Sequence, residues 1–262
     1  MRDVDSATPL RICASLALTV TLGFPLSGCG RKLSPQLEAS LKAVPGLGER
    51  PVRVEVEAVE AAERINVADL SVGIPEGWEK QSFSRTSNTS GRLKVIAVCG
   101  LNTFVLEFLY GELASWVSFP DPATIEESMP QVSTRLVNYL QEYDTDIELF
   151  DAIYNVTATK IKYASSEARA KHLTALMYQK VFLPLPGMRM QTKSLTAYGA
   201  LRPDKRKHVF VGYLFDAKGM LRGIVTLGFP EGVEPKEAEK VLGQMLYNAE
   251  FVGEGSPPDE AE

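Results

Sequence analysis

Cysteine and histidine are the side chains best suited to nucleophilic or metal chemistry, and this 262-residue chain has few of them: Cys13, Cys29 and Cys99, with His172 and His208. The histidines are far apart, and no Cys/His/Asp group falls at metal-ligand spacing. His172 lies in the helical stretch Ala170-Lys171-His172-Leu173 and reads as a surface or boundary residue. His208 closes the basic run Asp204-Lys205-Arg206-Lys207-His208. Gly46-Leu47-Gly48 precedes no strand–helix unit that would make it a phosphate loop. Glu107, Glu112 and Asp121 are scattered rather than paired for acid–base work. A Ser-His-Asp set could be assembled from distant residues of any chain this long, so it carries no weight. No catalytic residues and no metal site are expected. Cys99 ends the run Val95-Ile96-Ala97-Val98-Cys99 and reads as a small buried hydrophobe. Cys29 is different, because it directly follows the small pair Ser27-Gly28 at the end of an apolar stretch.

That stretch has the grading of an export signal. Arg2 and Arg11 lie in a short polar head, and residues 12–24 (ICASLALTVTLGF) follow without a charge. The length suits the apolar core of a signal peptide, about 7–15 residues, and falls short of the roughly 20 that a membrane-spanning helix needs. Pro25 breaks the run before Leu26-Ser27-Gly28-Cys29. This phrase resembles the lipobox of bacterial lipoproteins. The resemblance implies cleavage between Gly28 and Cys29, a diacylglyceryl thioether on Cys29, and acylation of the new amine. One acyl chain, at about 0.8 kcal/mol per buried CH₂, binds only marginally, whereas two or three hold stably. The alternative is an ordinary secretory signal with an accidental cysteine. The family's sorting rule makes Gly30, in place of an aspartate, favour the outer membrane on its periplasmic side. A Gram-positive host would place the anchor in its single membrane.

The formal net charge of −5 survives removal of the leader, which carries Arg2 and Arg11 against Asp3 and Asp5. That balance argues against nucleic-acid partners, which require a basic footprint. Hydrophobic residues make up 45% of the chain, enough for a packed core. With Cys13 in the leader and Cys29 lipidated, only Cys99 is left, so no intramolecular disulfide is expected.

The elements follow from periodicity. Residues 1–28 are the expected signal peptide, 29–50 a lipidated N-terminus and tether with one short helix near 36–44, 51–252 the globular domain, and 253–262 an acidic disordered tail. Strands are expected at 52–56, 67–74, 93–98, 104–109, 114–119, 153–163, 191–198, 209–215 and 221–229, the last two joined as a hairpin by Asp216-Ala217-Lys218-Gly219. A helix opens at Asp121-Pro122 or, if Pro130 interrupts it, near Ser128. It runs to Tyr143 with Ile125, Met129, Val132, Leu136 and Leu140 on one stripe. Further helices are expected at 167–179 and 234–248, the last with Ala238, Val241, Leu242, Met245 and Leu246 inward. Antiparallel strands without regular strand–helix alternation give an α+β fold, a central mostly antiparallel sheet with about three helices packed on it.

The layout, with its phrase Ile74-Pro75-Glu76-Gly77-Trp78 and its final hairpin and striped helix, resembles the Mog1/PsbP-like superfamily, which includes DcrB-type bacterial lipoproteins. The resemblance covers roughly residues 67–252. It implies a central antiparallel sheet sandwiched by helices and a role in binding or assembly. The strand at 52–56 and the insertion at 165–179 depart from it.

The function expected is therefore a membrane-anchored envelope lipoprotein acting as a non-enzymatic binding or assembly module. It would touch the membrane through its lipid and bind an envelope protein, with no cofactor beyond the lipid on Cys29. A carrier of a small apolar ligand, in a cleft lined from the 139–143 region, and a hydrolase built from unrecognised parts are the alternatives. The turn with Lys205, Arg206 and Lys207 reads either as a solvated loop or as a contact for anionic headgroups. Trp78 and Trp116 read as core aromatics rather than ligand platforms.

Overall fold

In a computed structural model of the chain, the described residues run from 33 to 251, apart from 45, 68, 88–89, 100, 112–122, 124–125, 128–129, 182–186 and 204–206. They belong to one compact unit, Arg31–Glu262. In chain order the elements are α1 (Pro35–Ala43), β1 (Val52–Val54), β2 (Glu63–Val67), β3 (Leu70–Ile74), β4 (Trp78–Ser87), β5 (Ser90–Cys99) and β6 (Asn102–Tyr110). Then come α2 (Ser133–Leu140), α3 (Asp146–Tyr154), α4 (Ala158–Tyr163), α5 (Ser166–Val181), β7 (Met188–Gln191), β8 (Leu195–Pro203), β9 (Lys207–Asp216), β10 (Leu221–Pro230), α6 (Pro235–Tyr247) and β11 (Glu250–Phe251).

The fold is α+β. A large sheet has the order β1-β7-β8-β9-β10-β6-β5-β4, and every pairing is antiparallel except β1 with β7. A smaller antiparallel sheet has the order β11-β3-β2. One face of the large sheet presents Leu93, Val95, Leu106, Phe108, Leu214, Val225 and Leu227, packed with Val72 of β3 and with Val241, Leu242 and Met245 of α6. The α6 stripe lies as its spacing requires, with Pro235 in the first turn. Trp78 is half-buried against this core. The Pro75-Glu76-Gly77 turn before it needs a left-handed residue, and Gly77 supplies φ +81°.

The opposite face of β8 and β9 is also apolar, and α3 covers it. Phe150 of α3 meets the rings of Tyr213 at 5.1 Å and Phe215 at 4.7 Å, both edge-on, and Tyr198 at 5.8 Å. Tyr154 stacks on Tyr198 at 5.1 Å. The start of α3 is fixed to the β9–β10 turn. Ile147 N–H donates to the Gly219 carbonyl (2.9 Å), and Leu221 N–H donates to Asp146 Oδ2 (2.7 Å).

Several expectations change. Residues 153–163 form no strand: they are the end of α3 and all of α4. Thr145 and Glu148 make a reciprocal capping box that launches α3, and Thr157 accepts from Lys160 N–H to launch α4. These caps outweigh a period-two pattern whose apolar members are too few to form a strand face. The expected strand 67–74 is met by β3 at 70–74, while residue 67 ends β2, which pairs with β3 as a hairpin. The expected strand 191–198 is split between β7 and β8, because Thr192 Oγ1 accepts from the N–H groups of Ser194 and Leu195 and bends the chain. Pro130 interrupts the 128–143 helix: residues 130–132 form a turn, Ser133 Oγ donates to the Pro130 carbonyl, and α2 starts at Ser133. Of the six helices assigned here, α1, α2, α5 and α6 correspond to the four expected near 36–44, 128–143, 167–179 and 234–248, and α3 and α4 are additional. The strand at 114–119, Trp116 and the Asp121-Pro122 opening lie outside the described residues.

Phe150 is 1% exposed and meets the rings of Tyr154, Tyr198, Tyr213 and Phe215. Phe150→Ala is expected to lower unfolding free energy by about 3–5 kcal/mol in chemical denaturation. A loss below about 1 kcal/mol would show that α3 is not the element holding this layer.

Candidate functional site

The helical layer carries two open grooves. The first, about 480 Å³, runs between α2 and α5. Tyr139 forms its floor, stacked on Tyr178 at 5.8 Å and edge-on to Tyr143 at 5.4 Å. Tyr178 O–H donates to the Leu136 carbonyl (2.8 Å), which locks α5 to α2. Burial pushes both the Tyr139 and Tyr178 phenols up, so both stay neutral and neither serves as a base at physiological pH. The rim is polar: Gln131 in the turn before α2, Arg135 and Asn138 on α2, and Glu142 ion-paired to Lys171 of α5 at 3.0 Å. Tyr139 and Glu142 of the 139–143 region thus line an open groove with charged edges, where the carrier alternative called for an apolar cleft.

The second groove, about 340 Å³, lies where α3 begins beside the β7–β8 and β9–β10 turns, and Arg189 lines it. Next to it Tyr198 O–H donates to Asp151 Oδ1, and Arg189 Nε lies 3.6 Å from the same oxygen. The Arg189 guanidinium sits 5.4 Å from the Tyr198 ring centroid. In-register pairing places Arg53 beside Arg189 and Arg189 beside Tyr198. Burial pushes the Asp151 carboxyl up, by more than the charges of Arg189 and Arg53 bring it down. This cluster holds one carboxylate, two guanidiniums and a phenol. It is built to hold charge in place and contains no nucleophile with an adjacent base.

Gln179 is the third buried polar group of note. It is fully buried, accepts from Gly48 N–H (3.0 Å) and donates from Nε2 to the Ile153 carbonyl (2.5 Å). Gly48 has φ +72°, and a Cβ there would come within 2.8 Å of Leu41, so only glycine fits the joint. With Leu37 and Leu47 also buried, the segment read as a tether packs onto the helices.

His172 is half-buried on α5, and burial together with the Lys160 charge lowers its pKa. Among the described residues no group of His, Cys, Asp or Glu is arranged to hold a metal. No helix among them is long and apolar enough to cross a membrane. Gly28, Cys29, Lys205 and Arg206 lie outside the described residues. Lys207 opens β9 and Cys99 ends β5, with side chains outside the description. Asp151, Arg189 and Tyr198 were not singled out from the sequence, although Thr145-Asp146-Ile147-Glu148 carries the capping-box signature that places Asp151 on a helix.

No protein-family model and no curated protein matches the chain. A crystal structure of a protein from Bacteroides thetaiotaomicron VPI-5482 is 12% identical over 72% of this chain and 47% of its own, with a TM-score of 0.28. The chain thus spans about half the length of that protein.

The raised carboxyl of Asp151 has a pH signature. A group whose native pKa lies above its unfolded value stabilises fully below the ordinary value of 3.8, and this stability is lost as pH rises through the native value. Asp151→Asn, which keeps an acceptor for Tyr198, is expected to flatten the fall in unfolding free energy over that window. An unchanged slope in pH-dependent denaturation would show that Asp151 does not carry it.

Proposed function

We propose that the chain is a lipid-anchored protein of the bacterial cell envelope whose folded part is a non-enzymatic binding or assembly module. The observation that carries this reading is Leu26-Ser27-Gly28-Cys29 placed behind a basic head and an uncharged apolar stretch. Gly30 next to the cysteine favours the outer membrane, facing the periplasm. The helical layer supports a binding role over a carrier role. The space between α3 and the sheet is filled by Phe150, Tyr154, Tyr198, Tyr213 and Phe215, and the α2–α5 groove is open with charged edges. Such a groove suits a polar protein surface better than an enclosed apolar ligand.

Cys29→Ser tests the anchor. In a bacterial host the wild-type chain is expected in the detergent-rich phase after phase partition and resistant to a high-salt wash. The variant is expected to lose that partition or to accumulate with its leader attached. Identical partition of the two chains would contradict the proposal.

A further inference from the structure

We infer that the outer surface of α4, with Lys160, Lys162 and Tyr163, is where the folded domain rests on the bilayer, against a layer of anionic lipid headgroups. This rests on the acylation of Cys29 proposed above and adds to it an orientation.

Chain length keeps α1 near the lipid. Between Cys29 and Ser34, the cap of α1, there are five residue steps. Fully extended, they span at most about 18 Å, whatever conformation they take. The nine residues of α1 add only about 14 Å of rise. A lipid on Cys29 therefore holds α1 close to the membrane surface.

Nor is α1 free to swing away from its neighbours. Leu37 and Leu47 are 7% and 5% exposed. Gly48 ties the end of this segment to two helices at once: its N–H donates to Gln179 of α5, and its carbonyl accepts from Ala158 N–H, the first residue of α4, at 3.2 Å. Whatever brings α1 to the bilayer brings α4 with it.

The side chains of α4 suit that surface. Tyr163 is 66% exposed, and Lys162 Nζ lies 5.5 Å from its ring centroid. A tyrosine presents an apolar body and a polar tip, and beside a lysine it suits the boundary between headgroups and acyl chains. Lys160 and Lys162 are exposed, and neither is in an ion pair among the described residues. Charge is also distributed unevenly. The chain has a net charge of −5, yet α4 and α5 carry Lys160, Lys162, Arg169, Lys171 and Lys180 against Glu167 alone. Lys171 is paired with Glu142, and none of the other four is in an ion pair among the described residues. Arg31 and Lys32 add two more cations in the short link to Cys29. Anionic headgroups complement this patch, and the acidic remainder of the domain is repelled by the same surface.

The test uses the wild-type acylated protein reconstituted in vesicles of equimolar phosphatidylethanolamine and phosphatidylglycerol, and separately in phosphatidylcholine vesicles. Lysine acetylation rates are read by mass spectrometry after flotation. Lys236 of α6, exposed on the other side of the sheet, is the internal reference. Lys160 and Lys162 are expected to react about fivefold more slowly than Lys236 in the anionic vesicles, and this protection is expected to shrink in phosphatidylcholine. Protein that floats while Lys160 and Lys162 react as fast as Lys236 overturns the orientation and leaves the anchor standing. Equal protection in both vesicle types overturns the anionic partner. Protein that does not float overturns the acylation reading and this inference with it.

Discussion

The helical side of the molecule depends on one constraint: β8 and β9 are apolar on both faces. Pleating sends Leu214 toward the smaller sheet and α6, and Tyr213 and Phe215 toward α3. Phe150 fills the space above these rings. Burying an aromatic of this size against several others gains its transfer free energy and, for each favourable ring pair, about 0.5–1.5 kcal/mol more. A strand with one polar face would leave α3 with no surface to pack on. Because α5 packs on α3 and α4 packs on α5, the helical grooves and the docking of α1 all rest on this second apolar face.

The polar groups inside the layer then fix where things point. Gln179 is buried but satisfied on both sides, by Gly48 N–H and by the Ile153 carbonyl. A buried amide with both ends bonded specifies one arrangement, since removing either partner strands the other without water. Here the arrangement it specifies is the position of the chain just after α1 relative to α3 and α5. The same logic applies to Asp151, held between Tyr198 and Arg189: its raised pKa marks a carboxyl that burial penalises and neighbouring cations only partly relieve. These are the features of a scaffold that holds a surface in a set orientation.

Much of the sheet was legible in the sequence because its strands bury one clear face or are bounded by turn residues. The β9–β10 hairpin follows from Asp216 and Gly219, where φ is +81°, and α6 follows from Pro235 and its stripe. What misled the reading was a short segment in which local capping and alternation pointed to different structures. Residues 153–163 alternate, but Thr145, Glu148 and Thr157 cap helices, and burial of Leu149, Phe150, Ile153 and Tyr154 on helical spacing along α3 decides the outcome. The Asp151–Tyr198–Arg189 cluster was hidden for the same reason. Its members come together only when Asp151 is on a helix facing β8. The uneven charge of α4 and α5 was present in the sequence, yet it has meaning only once the two helices are neighbours of α1.

The central claim is that this scaffold is held at a membrane by Cys29. The most direct measurement is the mass of the N-terminal peptide of the protein isolated from bacterial membranes. The account predicts a peptide beginning at Cys29, lacking residues 1–28 and carrying the mass of two or three acyl chains. An unmodified Cys29, or a peptide running through Gly28 into Cys29, would contradict it.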